Sequence, residues 1–126
     1  IDLTPKLHPL IKRWRIVTGS GTLFVAGSTA ALTAVEFAPG VVEDLQQLLE
    51  KLAPEGVPYH HDKDWGDANG YAHLRAALIG PSLALCVENG KLVRGRWQQI
   101  VLCDFDNRPR ERTVHVHLSG LGDPGG

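Results

Sequence analysis

The chain changes period at Gly80-Pro81. Ahead of this pair, Tyr71, Leu74 and Leu78 recur at three- and four-residue spacing, the pattern of a helix with one buried stripe. Behind it, Leu83, Leu85 and Val87 alternate with Ala84, Cys86 and Glu88, the pattern of a strand with one inward face. Glycine accepts the left-handed exit from a helix and proline cannot continue one, so the backbone chemistry of two residues fixes the boundary. A chain that makes this switch folds with helices packed on a sheet.

The strand signal persists to the end. Asn89-Gly90 predicts a tight hairpin, since both residues tolerate positive φ. A return strand takes in Leu92 and Val93, and Gly95–Gln99 leads into a further strand over 100–105. A turn follows at 106–109. Then 110–118 alternates, with Val114, Val116 and Leu118 inward and Thr113, His115 and His117 outward.

Toward the N-terminus, Thr4 reads as the N-cap and Pro5 as the first residue of a helix. Leu7, Leu10, Ile11 and Trp14 supply its apolar face. Gly19-Ser20-Gly21 reads as a loop between that helix and two short β runs, 22–26 and 28–37. Pro39-Gly40 opens the clearest helix. Its stripe of Val41, Val42, Leu45, Leu48, Leu49 and Leu52 is expected to be core, and Pro54 closes it.

The expected architecture is therefore α+β: a single compact domain over 1–120, with about three helices on a mostly antiparallel or mixed sheet. Residues 121–126 read as a flexible glycine-rich tail. At 126 residues the chain is long enough for one real core. Thirteen Lys and Arg against fourteen Asp and Glu give a net charge of −1, which argues against non-specific binding to nucleic acid or to a membrane surface. The longest apolar runs fall short of a membrane span, and no secretory leader opens the chain. Cys86 and Cys103, both in strand-like segments, read as reduced core residues of a cytoplasmic protein. An Ile1 start without any Met implies an initiator lost with a longer N-terminal segment.

The segment from His60 to Ser82 concentrates the chemistry, with three histidines, three aspartates, an asparagine and a tryptophan. Asp67 reads as the N-cap of the helix that ends at Gly80. Asn69 and His73, four apart, share one face of that helix, while His60, His61 and Asp62 arrive from a loop. His61 and His73 offer neutral imidazoles, and Asp62 or Asp67 adds a carboxylate. That donor set suits a divalent ion such as zinc, yet it equally suits a metal-free polar pocket in which Asp67 orients His73. No His-Glu-x-x-His or Cys-x-x-Cys motif is present. His115 and His117 form a second pair, one strand period apart.

In order and spacing these segments resemble the YjbQ-like family, described as secondary thiamine-phosphate synthases. The resemblance rests on Gly27–Thr33, on His61-Asp62 with Trp65–Ser82, on Gly95–Ile100, and on Asp104–Arg110. It implies a homotrimer and a pocket around His61 and His73 holding a divalent metal, Zn or Mg. The implied reaction joins a pyrimidine diphosphate to a thiazole phosphate and expels pyrophosphate, so the partner is a small phosphorylated substrate.

His61, His73, Asp62 and Asp67 are then the candidate catalytic residues, with His61 and His73 as metal ligands. Asn69, Arg75, Ser82, Arg96, Trp97 and Gln98 are candidates for binding substrate or cofactor. The arginines, Arg108 among them, would neutralise phosphate, Trp97 would stack a ring, and Gln98 would bond it. Two other readings compete: a non-catalytic trimer binding a metal or phosphate ligand, and a metal-dependent hydrolase. The chain departs from the family pattern in having Gly27 where many members have His, Arg96 in place of a small hydroxyl, and no strand ahead of the first helix.

Overall fold

The computed structural model describes residues 1–122. The chain order is α1 (Thr4–Arg13), β1 (Ile16–Val25), β2 (Ala30–Glu36), α2 (Pro39–Leu52) and α3 (His60–Trp65). It continues with α4 (Gly70–Ile79), β3 (Ser82–Glu88), β4 (Lys91–Leu92), β5 (Gln98–Asp104) and β6 (Val114–Gly122). All strand pairs are antiparallel, in a sheet of order β4-β3-β1-β6 and a two-stranded sheet β2-β5. The fold is α+β, and the described residues form four helices rather than three. Among the described residues no helix is long and apolar enough to cross a membrane.

The core lies where α1 meets the inner sheet faces: Leu7 and Ile11 of α1 join Leu23, Val25, Leu32, Leu85, Val87 and Leu102. Period two places these side chains as expected, since Leu85 and Val87 are buried while Ala84, Cys86 and Glu88 are exposed. Val114, Val116 and Leu118 pack against the same core, and His115 and His117 point outward. Asn89 and Gly90 take φ of 51° and 71°, the paired positive values of a tight hairpin. Cys86 and Cys103 are both free thiols.

Several local expectations fail for long-range reasons. Gly19-Ser20-Gly21 is not a loop but the middle of β1, the strand paired on both edges. A Cβ on Gly19 or Gly21 would strike the carbonyl oxygens of Ser119 and His117, so the glycines admit the close approach of β6. The partner strand runs to Gly122, two residues into the segment read as a tail; 123–126 lie outside the described residues. Thr4 is not the N-cap of α1 but its first helical residue. Its amide donates to Asp2 Oδ1 at 2.9 Å and its buried Oγ1 accepts from the Ile100 amide at 2.8 Å, fastening the helix to β5.

The two expected apolar stripes are only partly interior. On α2, Leu49 is buried while Leu48 and Leu52 are 51% and 58% exposed. On α4 the buried face is Gly70, Tyr71, Ala72, Arg75 and Ala76, and Leu74 and Leu78 turn outward at 51% and 62%. Small residues win the inner position because they let α4 sit close on β2, whose Ala30 and Ala31 are themselves fully buried. Leu74, Leu78 and Leu52 meet instead in a shallow apolar groove on the surface.

Candidate functional site

The His60–His73 stretch folds as α3 and the first turn of α4, joined by residues 66–69. His60, His61 and Asp62 do not lie in a loop; they form the first turn of α3, which Gly66 ends in the left-handed conformation at φ 69°. Asp67 does not cap α4 either. Asn69 stands at the cap position without a side-chain cap bond, and Asp62 Oδ1 reaches across to accept the Gly70 amide at 2.9 Å. Gly70 permits this contact, because a Cβ there would lie 2.7 Å from Tyr59 Cβ and 3.0 Å from Asp62 Oδ1. The junction is strained at Ala68, which holds φ at 57°.

This arrangement brings His61 and His73 together. Their ring centroids are 4.2 Å apart with planes tilted by 40°. His61 Nδ1 lies 3.4 Å from Asp62 Oδ1 and 3.8 Å from Asp67 Oδ1. Burial, and then the charge of His61, lower the His73 pKa from its ordinary 6.5, so His73 is a neutral imidazole at neutral pH. Both rings line an open cavity of about 570 Å³, together with Trp65, Asp67, Asn69, residues 27–29, Asp106 and residues 110–112. That volume lies within the usual range for a small-molecule site.

The opposite wall comes from the segment after β5. The Asp106 side chain is 1% exposed and accepts four hydrogen bonds: from Thr29 Oγ1 (3.0 Å), Asn69 Nδ2 (3.2 Å), Arg110 Nε (2.7 Å) and the Asn107 amide (2.8 Å). Burial alone would push its carboxyl up, but these bonds outweigh it and hold the group well below the usual carboxylate range. Arg112 clasps Asp104 through Nε and Nη2 at 3.0 and 2.8 Å, and Nη2 also donates to Thr29 Oγ1 at 2.6 Å. Arg112 holds the Asp104 carboxyl down in turn. Asn69, 2% exposed, spends its amide group on Asp106. Its Oδ1 is the one buried side-chain polar atom without a partner among the described residues.

His61, Asp62 and Asp67 present one nitrogen and two oxygen donors within 4.8 Å of one another, a set that fits a divalent cation. His73 is not one of the three, though its ring lies 4.2 Å from that of His61, tilted by 40°. Of the expected ligand pair, His61 belongs to this group and His73 lies beside it. His115 and His117 have no third ligand group beside them among the described residues.

The remaining candidates lie elsewhere. Arg75 is buried and structural: Nε donates to the Ala53 carbonyl at 3.0 Å, Nη2 to Glu50 at 2.7 Å, and its guanidinium covers the Tyr71 ring. Ser82 is exposed at the start of β3. Arg96 stacks on Trp97, 64% exposed in the β4–β5 connection, and Gln98 Oε1 accepts the Gly95 amide; none of the three lines the cavity. Arg108 is exposed and also off the cavity wall. Sequence reasoning missed Thr29, Trp65, Asp106, Arg110 and Arg112. Trp65 was within view as the aromatic beside the His-Asp pair, and Asp104–Arg112 as a run of alternating charge; nothing local tied that run to residues near 69.

The profile of the family described as UPF0047 protein YjbQ-like matches residues 1–121. A UPF0047 protein of Archaeoglobus fulgidus is 43% identical over 116 residues, covering 92% of this chain and 87% of that one. The UPF0047 protein YugU of Bacillus subtilis is 31% identical over 122 residues, 95% and 89% of the two chains. A crystal structure from Sulfolobus solfataricus, of a protein of unknown function, superposes with a TM-score of 0.87. It is 33% identical, over 94% of this chain and 84% of that one.

Proposed function

Because the chain belongs to the UPF0047 YjbQ-like family, we propose that it is a small transferase of the secondary thiamine-phosphate synthase type, acting in the cavity shared by His61 and His73. The observation that carries this reading is the facing of the two imidazoles 4.2 Å apart on the wall of a ligand-sized cavity, with Asp62 and Asp67 beside them. The resemblance supplies the reaction. The carbon–oxygen bond to the diphosphate breaks, its electron pair leaves with pyrophosphate, and the thiazole nitrogen closes a carbon–nitrogen bond.

Such a step leaves a cationic pyrimidine carbon to be sheltered from water. His73, held neutral, offers a lone pair without adding a repelling charge, and Asp67 contributes a negative field beside it. Trp65, 75% exposed at the cavity, offers the flat face for a heteroaromatic ring that Trp97 is too distant to give. His61, Asp62 and Asp67 would hold a divalent ion, Zn or Mg, whose contribution is to neutralise the leaving diphosphate.

We assign the homotrimer and the cytoplasm on the same resemblance. Support for self-association comes from Leu48, Leu52, Leu74 and Leu78, each more than half exposed, and for a reducing compartment from two free cysteines. Light scattering should return three chains per particle, and a Leu74→Glu, Leu78→Glu double variant should dissociate; a monomeric wild type refutes the trimer.

The function is tested by assaying thiamine phosphate formation by wild type, His61→Ala and His73→Ala, with and without chelator. Turnover should fall at least about tenfold in each folded variant. Equal background in all samples defeats the enzyme and leaves the binding-module reading.

A further inference from the structure

The cavity wall opposite the imidazoles carries two guanidinium groups that the reading above does not use. Arg112 is 10% exposed and clamped on one edge, Nε and Nη2 being spent on Asp104 and Thr29. Its remaining nitrogen, Nη1, makes no hydrogen bond to the described residues. That atom lies 2.7 Å from where a Cβ on residue 27 would stand, so the guanidinium occupies this place only because residue 27 is glycine. Arg110, next but one in sequence, spends Nε on Asp106 at 2.7 Å, and neither of its terminal nitrogens makes a hydrogen bond to the described residues. Both arginines and Gly27 border the same cavity as His61 and His73.

We propose that Arg112 and Arg110, framed by Gly27, form an oxyanion subsite that receives the phosphate end of a phosphorylated small molecule. The inference deepens the function proposed above and rests on it for the identity of the molecule. A planar fork with fixed N–H directions matches phosphate oxygens, and fixing the fork in advance avoids the entropy cost of ordering it on binding. Asp104 supplies that fixing for Arg112, and Asp106 for Arg110.

The charge balance sharpens the proposal. Asp104 and Asp106 already neutralise the two arginines, and Asp67 and Glu111 also face the cavity, so its field does not attract a bare anion. The subsite orients phosphate, and a cation at His61, Asp62 and Asp67 offsets the acidic surroundings. Phosphate and cation must therefore bind cooperatively, each raising the affinity of the other by the same factor.

Isothermal titration of the full chain with pyrophosphate, with and without Mg²⁺, tests this. Wild type should bind pyrophosphate at least about tenfold more tightly with Mg²⁺ present. Arg112→Gln should lose about tenfold of that affinity, and Arg112→Lys should recover only a fraction of it because lysine lacks the fork. Gly27→Ala, which displaces Nη1, should weaken binding with the charge unchanged. If Arg112→Gln fails to fold, Arg110→Gln, at a side chain already 34% exposed, carries the same test. Wild-type affinity in the folded arginine variants overturns the subsite, and so does a wild type that binds no pyrophosphate with Mg²⁺. The two proposals fail separately: absent turnover with arginine-dependent pyrophosphate binding refutes the reaction alone. Turnover whose KM is unchanged in Arg112→Gln refutes the subsite alone.

Discussion

The cavity has two walls that differ in how they are held. On one, His61, Asp67 and His73 are at least partly exposed, and the His61 Nδ1 contacts to Asp62 and Asp67 are long, at 3.4 and 3.8 Å. On the other, Asp106 is sealed from solvent and takes four donors, two from distant parts of the chain and two from its own segment. The first wall keeps imidazole and carboxylate lone pairs open to a ligand, whereas on the second the carboxylates are spent on their neighbours and only outer guanidinium nitrogens of Arg110 and Arg112 lack a partner among the described residues. The contrast teaches that the acidic residue most perturbed by its surroundings is here the scaffold, and that the less constrained groups are the ones able to do chemistry.

The largest test of that contrast is Asp106→Ala. It orphans Thr29, Asn69 and Arg110 together, and a loss of about 3–5 kcal/mol in urea unfolding is expected. His61→Ala should stay within about 1 kcal/mol of wild type, because its partners keep access to water. Equal costs at the two positions would dissolve the distinction between the walls.

Next is Gly70→Ala. The added carbon cannot coexist with Tyr59 Cβ at 2.7 Å, so α3 must move off α4 and the Asp62 bond to the Gly70 amide must lengthen. A cost of about 1–3 kcal/mol is expected. Divalent-ion affinity should fall with it, and an unchanged ion titration would separate the helix junction from the site.

The pH dependence of stability should show the walls as two separate steps. The His73 pKa is lowered in the fold, so the unfolded chain takes up its proton first as pH falls. That contribution is intact above the ordinary 6.5 and is lost as pH falls through the lower folded value. Asp104 and Asp106 are also lowered, and their contribution is intact above the ordinary 3.8 and lost only in stronger acid. Unfolding free energy followed from pH 8 to 3 should therefore decline slightly once the pH drops below 6.5 and again, more steeply, below 3.8. Removing the upper step with His73→Ala while the lower one remains would fix the assignment.

The smallest effect is at Ala68, which holds φ at 57° beside the site. Ala68→Gly relieves that conformation and forfeits some unfolded-state restriction, for a net gain of about 0.5 kcal/mol. A loss would mean that the left-handed turn is supported by contacts that the alanine methyl makes.

What was legible along the chain was local. The hairpin at Asn89-Gly90, the strand faces of 83–88 and 114–118, and the end of α4 at Gly80 all follow from the stereochemistry of neighbouring residues. The nearness of His61 to His73, with ring centroids 4.2 Å apart, was expected from the family resemblance and not from any spacing along the chain. What was misread depended on partners far away. Glycines at 19 and 21 look like a loop until β6 lies against them, and Leu74 and Leu78 look interior until the alanines of α4 claim β2. Asp67 has the right position for a cap, but Asp62 arrives from the preceding helix and takes the role.

By itself, then, the sequence determined the kind of most elements, though not of α3 or of the first half of β1, and gathered His61, Asp62, Asp67 and His73 into one short segment, because periodicity and turn chemistry act between neighbours. Tertiary structure alone decided which face of α4 was buried, which carboxylate became the hub and which arginines reached the cavity. Thr29 and Asp106 are 77 residues apart, and Asn69 and Asp106 are 37 apart. A hydrogen bond acts over about 3 Å, so no pattern along the chain records which of its polar groups will come that close.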